Sequence, residues 1–169
     1  MFKKIIKLNL LLLFITSFSF AEIVSNIIIK GNKRLSDESI IVFSKIELNK
    51  DYNSNQLNQI IKDLYETNFF KTMSLKMEST TLILEVLENP IIENIEIKGV
   101  KNKNLLELIN KNLFLKDRYS YVESIFLNDL NILKNVLKAN GFYFSEIETS
   151  YTLNEVQNSI SLIYNVDLG

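Results

Sequence analysis

Asn26-Ile27-Ile28-Ile29-Lys30-Gly31 and Asn94-Ile95-Glu96-Ile97-Lys98-Gly99 lie 68 residues apart and read as one element written twice, a strand-length run that ends on glycine. Working outward, Leu64-Tyr65-Glu66-Thr67-Asn68-Phe69-Phe70 has a counterpart 73 residues later in Leu137-Lys138-Ala139-Asn140-Gly141-Phe142-Tyr143, with Asn68 opposite Gly141. Asn and Gly tolerate a left-handed backbone, so both positions read as helix stops. Leu82 to Pro90 and Ile160 to Gly169 then both alternate and stop. Three matches in one order indicate a duplication.

Each copy reads as β-α-α-β-β. In the first, Ile23 to Lys30 is a strand, Ser36 caps a short helix, and Asn53 with Gln56 forms a capping box for a longer one. Leu57, Ile60, Ile61 and Leu64 share one face of that helix. Met73, Leu75 and Met77, then Leu82, Leu84 and Val86, alternate about Ser79-Thr80 as a hairpin. The second copy has a strand from Ile92 to Lys98 and a short helix around Leu105, Leu108 and Ile109. Ser120 and Glu123 read as the capping box of a long helix that buries Phe126, Leu130, Leu133 and Leu137. Its hairpin runs from Tyr143 to Leu153 and from Ser159 to Val166. The fold class is therefore α+β, two tandem units, each a three-stranded sheet covered by two helices. Gly31, Asn68, Gly99 and Gly141 are the structural turn positions. Pro90 sets the boundary, because it cannot donate to a strand ladder, giving units at residues 22–90 and 91–169.

Residues 1–21 stand apart. Lys3, Lys4 and Lys7 precede an apolar stretch from Leu8 to Phe20, and Ser19-Phe20-Ala21 has the form of a cleavage site, so this segment reads as a secretory signal peptide. Its removal takes three of the 19 basic and none of the 20 acidic residues, which leaves a net charge of −4. That argues against a nucleic-acid partner.

The 169 residues contain no Cys and no His, which excludes thiol nucleophiles, Cys/His zinc sites and histidine general bases. Carboxylate chemistry survives that cut. Glu85, Glu88, Glu93 and Glu96 are the candidates for an acid–base pair, but strand alternation turns such residues to solvent. Lys30, Lys33 and Arg34, and Lys98, Lys101 and Lys103, lack a phosphate-loop pattern and read as solvated turns. The order of elements also suits a KH module, but there is no GxxG loop. Phe69, Phe70, Phe142, Tyr143 and Phe144 read as core. Catalytic residues, metal ligands and cofactors are all expected to be none.

The repeat, the leader and three strings, Ile-Lys-Gly-Asn-Lys-Arg at 29–34, Leu-Tyr-Glu-Thr-Asn-Phe-Phe at 64–70 and Val-Leu-Glu-Asn-Pro-Ile-Ile at 86–92, resemble POTRA domains, most of all the first two of the BamA family of outer-membrane protein assembly factors. The resemblance spans residues 22–169. It implies a periplasmic array that binds unfolded outer-membrane proteins and accessory assembly lipoproteins and leads to a C-terminal membrane barrel that this chain lacks. The chain then reads as a fragment of a longer product. A POTRA pair from a two-partner secretion or TamA-type transporter is the alternative within binding proteins, and a carboxylate hydrolase the alternative outside them.

The resemblance also implies that the third strand of each unit runs between the other two. The second strand then has one unpaired side, which can accept an extended peptide. The candidate peptide-binding edges are Lys71, Thr72, Met73, Ser74, Leu75, Lys76 and Met77 in the first unit, and Tyr143, Phe144, Ser145, Glu146 and Ile147 in the second. Ser74 and Lys76 are the positions at which a proline should block pairing, if their N–H groups face the open side.

Overall fold

A computed structural model describes residues 22–169; the expected signal peptide lies outside the described residues. The first unit contains strand β1 (Glu22–Val24), β2 (Asn26–Lys30), helix α1 (Asp37–Ser44), β3 (Lys50–Tyr52), α2 (Ser54–Glu66), β4 (Phe70–Glu78) and β5 (Thr81–Glu88). The second contains β6 (Ile91–Lys98), α3 (Lys103–Asn112), α4 (Glu123–Ala139), β7 (Glu146–Asn154) and β8 (Ser159–Asp167). Two three-stranded mixed sheets result, ordered β2-β5-β4 and β6-β8-β7. In each the last strand is central, parallel to the first and antiparallel to the second. A parallel neighbour cannot be reached through a tight hairpin, so the chain must cross over, and the two helices of each unit lie within that crossover.

Local chemistry forms most of these elements. Ser36 caps α1 by accepting the Ser39 N–H, and Asn53 and Gln56 bond reciprocally across the first turn of α2. Ile60 and Leu64 of α2 are buried with Leu82, Leu84 and Val86 of β5, Ile40, Tyr52 and Phe70. In the second unit Leu133 and Leu137 of α4 meet Leu105 and Ile109 of α3 and Tyr164 and Val166 of β8. Burial of each such aliphatic side chain contributes about 1.5–3 kcal/mol.

Three sequence readings are corrected. The strand read from Ile23 to Lys30 is broken at Ser25, because Glu22, Ile23 and Val24 pair antiparallel with β3, which the sequence did not signal. Ser120 does not cap α4: the helix starts at Glu123 behind Val122, which makes no side-chain cap, and Ser120 instead bridges to Ile91. The strand read from Tyr143 begins only at Glu146. The Phe142 N–H bonds back to Leu137 O and the Ser145 hydroxyl to Phe142 O, so Tyr143, Phe144 and Ser145 form a turn, with Tyr143 and Phe144 exposed rather than in the core.

The β3 segment reveals a further repeat. Asn49 and Arg118 both have positive φ, and their N–H groups donate to Val24 O at 2.6 Å and Ile92 O at 2.7 Å. Each unit thus lays the residues before its long helix against the start of its first strand.

Gly31 and Gly99 have φ of 86° and 89°, and a β-carbon on either would collide with the carbonyl oxygen of Val86 or Val166 in the central strand. Gly141 has φ of 93° but open space around it, and Asn68 takes φ of 61° at the equivalent stop. Gly141→Ala should therefore cost about 1–2 kcal/mol from backbone strain alone. Gly99→Ala adds a clash with main chain and should cost at least about 2 kcal/mol more. Urea midpoints of the two variants check the order; equal losses would mean that the approach to Val166 is not limiting.

Candidate functional site

A central strand turns its N–H and C=O groups alternately to its two neighbours. Gly31 and Gly99, which follow β2 and β6, pack on the carbonyls of Val86 and Val166, so those carbonyls face the first strand of each sheet. Their cross-strand partners on the other side are Met73 and Ile147. These two therefore turn their own N–H and C=O away from the central strand. The alternation extends this to Leu75 and Met77 in β4, and to Thr149, Tyr151 and Leu153 in β7. Seven residues thus present backbone donors and acceptors along the two outer edges. The N–H groups of Ser74 and Lys76 face β5, so these residues hold the ladder and are not the positions at which a proline blocks the open side.

The side chains on the two edges differ. Met73, Leu75 and Met77 are half-buried against the first core. In β7 only Ile147 is partly covered; Tyr151 is 67% and Leu153 48% exposed. Of the residues read as edge positions, Lys71 to Met77 lie in β4, Glu146 and Ile147 open β7, and Tyr143 to Ser145 lie outside any strand. Lys76 bonds to Glu78 at 2.5 Å on the exposed face, which raises the Lys76 pKa and lowers that of Glu78. The opposite sheet edge is less open in the second unit. Ile92 exchanges backbone bonds with Arg118 and Tyr119, and the Ile95 N–H donates to Asp117.

Both edges reach one cleft of about 840 Å³ at the joint between the units. Its walls include Tyr65, Lys71, Thr72 and Leu87 from the first unit and Tyr121, Leu127, Tyr151 and Leu153 from the second. Burial pushes the Tyr121 phenol above its ordinary pKa, helped by the charge of Glu123. Lys71 is the extra residue of a β-bulge, since Phe70 pairs with Glu88 and Thr72 already with Leu87. Such a bulge redirects its side chain relative to the regular strand.

The joint itself is bonded from both sides. The Asn89 N–H donates to Phe69 O at 2.7 Å, and its side-chain amide to Asn68 O at 2.9 Å. From the second unit, Ile91 N–H reaches Asn158 O at 2.9 Å and Tyr121 N–H reaches Pro90 O at 2.8 Å. Asn158 also donates to the carbonyls of Glu88 and Asn89 at 3.5 Å.

Glu88 corrects the reading of the acidic strand residues. Glu85, Glu93 and Glu96 are exposed, but the Glu88 side chain is fully buried. Its carboxylate accepts the N–H groups of Lys33, Arg34 and Leu35 at 2.9–3.2 Å and stands 3.7 Å from Arg34 Nε. The basic turn is thus tied to the end of the central strand, with Arg34 also over the Phe69 ring at 6.0 Å. Glu93 is committed elsewhere, to the Ser159 hydroxyl at 2.6 Å. Sequence reading missed Glu88 and Asn158 because their partners are 53 to 70 residues away. The alternation of Ile147, Thr149, Tyr151 and Leu153 with polar or charged residues marks β7 as a strand, but that Tyr151 and Leu153 line a cleft shared with the first unit is not written in it.

The POTRA family model, described as a surface antigen variable number repeat, matches residues 90–169. The outer membrane protein assembly factor BamA of Neorickettsia risticii (strain Illinois) is 32% identical over 124 residues, which are 73% of this chain and 17% of that protein. BamA of Neisseria meningitidis serogroup B is 26% identical over 124 residues, 73% of this chain and 15% of its own length. The chain therefore spans about a sixth of these relatives. Among solved structures, the N-terminal domain of Omp85 from Thermosynechococcus elongatus superimposes with a TM-score of 0.54 at 12% identity, covering 87% of this chain and 63% of that one, a likeness of fold.

Removal of the Glu88 carboxylate leaves three loop N–H groups and Arg34 without their acceptor. Glu88→Ala should cost the first unit about 3–5 kcal/mol, and Glu88→Gln, which keeps an acceptor oxygen, about 1–3 kcal/mol. Chemical denaturation followed by amide signals of residues 31–35 checks both values; an unchanged stability for Glu88→Ala would remove the carboxylate from any structural role.

Proposed function

Because this chain carries a POTRA domain of the BamA family, preceded by a second unit of the same fold, we propose that it is the periplasmic part of an outer-membrane protein assembly factor that binds unfolded outer-membrane polypeptides as added strands. Export through cleavage after Ala21 would leave residues 22–90 and 91–169 as the two domains, on the periplasmic side of the outer membrane. Accessory assembly lipoproteins and a membrane barrel in the same product are the further partners of this reading. It assigns the chain a scaffold role without catalysis.

The observation that carries the proposal is the row of outward backbone groups on β4 and β7. An extended client satisfies such groups by forming the next ladder, so its affinity comes from main-chain bonds and tolerates many sequences. That tolerance suits a partner for unfolded chains. The half-buried Met73, Leu75 and Met77 leave recognition on β4 to the backbone, whereas β7 adds the exposed Tyr151 and Leu153.

Proline placement tests this. Thr149→Pro removes an outward N–H from an exposed strand and should leave the fold intact while weakening binding of an alternating outer-membrane-strand peptide about fivefold, the equivalent of about 1 kcal/mol for one hydrogen bond. Ser150→Pro removes a bond to β8 and should destabilise the sheet. Peptide titration followed by amide shifts provides the measurement. Shifts confined to the helices or to the Lys30–Arg34 turn, with Thr149→Pro binding as the parent does, would rule out edge pairing.

A further inference from the structure

The two open edges are related by chain direction. β7 runs toward the joint, and its last outward residues, Tyr151 and Leu153, line the cleft. β4 starts on the other wall of the same cleft, at Lys71 and Thr72, and runs away from it. Strand β7 thus leads in and strand β4 leads out with one sense. A partner that is antiparallel to both strands therefore passes through the cleft without reversing its sense.

The side chains along this track differ in character from end to end. At the start of β7, Glu146, Glu148 and Asp167 surround a hollow in which the nearby Lys98 is already paired to Glu96 at 3.3 Å. These three carboxylates have no ion-pair partner among the described residues. In the middle, Tyr65, Leu87, Leu127, Tyr151 and Leu153 are all more than 40% exposed around the cleft, whose wall also carries the carboxylate of Glu123, without an ion-pair partner among the described residues. At the exit stands Lys71, aimed by its bulge and without an ion-pair partner among the described residues. An exposed apolar patch flanked by unpaired charges of opposite sign is a surface awaiting a complementary chain.

We propose that one extended polypeptide, basic where it meets Glu146 and Glu148, apolar across the cleft and acidic beside Lys71, adds to β7 and continues onto β4 in the same chain sense. This rests on the edge-pairing reading above and names its occupant. Strands rise about 3.3 Å per residue, so a segment of about 20 residues covers both edges and the gap. Joining two weak edge contacts in one molecule makes the second intramolecular, which raises affinity without any new contact.

The test uses the two-unit chain and three synthetic peptides: a segment of about 20 residues with the stated charge pattern and its two halves, each about 10 residues. Fluorescence anisotropy should give the whole peptide an affinity at least about tenfold above either half, with amide shifts in both β4 and β7 at one peptide per protein. Lys71→Glu should weaken the whole peptide about fivefold, and a peptide with lysine in place of its central acidic residue should recover the loss. Halves that bind as tightly as the whole, or a stoichiometry of two whole peptides per protein, would overturn the continuous track while leaving edge pairing intact. Self-association of the chain through these edges, seen by light scattering, would overturn the proposed occupant. No shift in either edge with any peptide would overturn the edge-pairing reading and this one together.

Discussion

The last strand of each unit has to satisfy hydrogen bonds on both of its sides, and the rest of the architecture follows from that. One neighbour is supplied by a two-residue hairpin in the first unit and a short loop in the second. The other lies at the far end of the unit and runs parallel, which requires a crossover and so places the helices. Where the first strand ends against the central one, the backbones come so close that only glycine fits, at Gly31 and again at Gly99. The outside of the second strand is left with unused hydrogen-bond capacity in both units. The site proposed here is therefore a by-product of the insertion that closes the core.

Buried carboxylates then hold the loops that the crossover creates. Glu88 gathers three successive N–H groups from residues 33–35, and Asp129, also buried, accepts those of Phe114 and Leu115 at 2.8 Å each. Hydrogen bonds to an ionised acceptor are stronger than neutral ones, which offsets the cost of taking the charge out of water. The position of Glu88 has a second effect. It is the last residue of β5 and directly precedes Asn89, so the same segment that anchors the basic turn also receives Asn158 from the second unit. Turn, central strand and joint are consequently one connected network.

The sequence-level reading succeeded where the forces were local. The Asn53–Gln56 box, the Ser36 cap, the alternation of Leu82, Leu84 and Val86 and the left-handed Asn68 all depend on residues within a few positions of one another. The same reasoning failed at Ser120, whose pattern with Glu123 matches that of Asn53 with Gln56. There a contact with Ile91, 29 residues earlier, takes the segment into a bridge and leaves α4 to start later. Tyr143 and Phe144 failed for a related reason. After the left-handed Gly141 the chain needs a further turn before it meets β8, so the aromatic pair that matches Phe70 and Lys71 in the repeat is left outside the strand.

By itself the sequence determined the duplicated β-α-α-β-β order, the helix stops and the faces that enter the core, because periodicity and capping are written in neighbouring residues. Tertiary structure alone decided which backbone groups remain open, why Ser74 and Lys76 face inward while Thr149 and Tyr151 face out, that Glu88 is buried, and that the two edges meet in one cleft. The open backbone groups depend on the register of each hairpin, Met73 with Val86 and Ile147 with Val166, whereas the burial of Glu88 and the shared cleft depend on bonds between segments more than fifty residues apart. A one-residue change in either hairpin register would turn the other set of β4 or β7 backbone groups outward without altering the hydrophobic pattern along the chain.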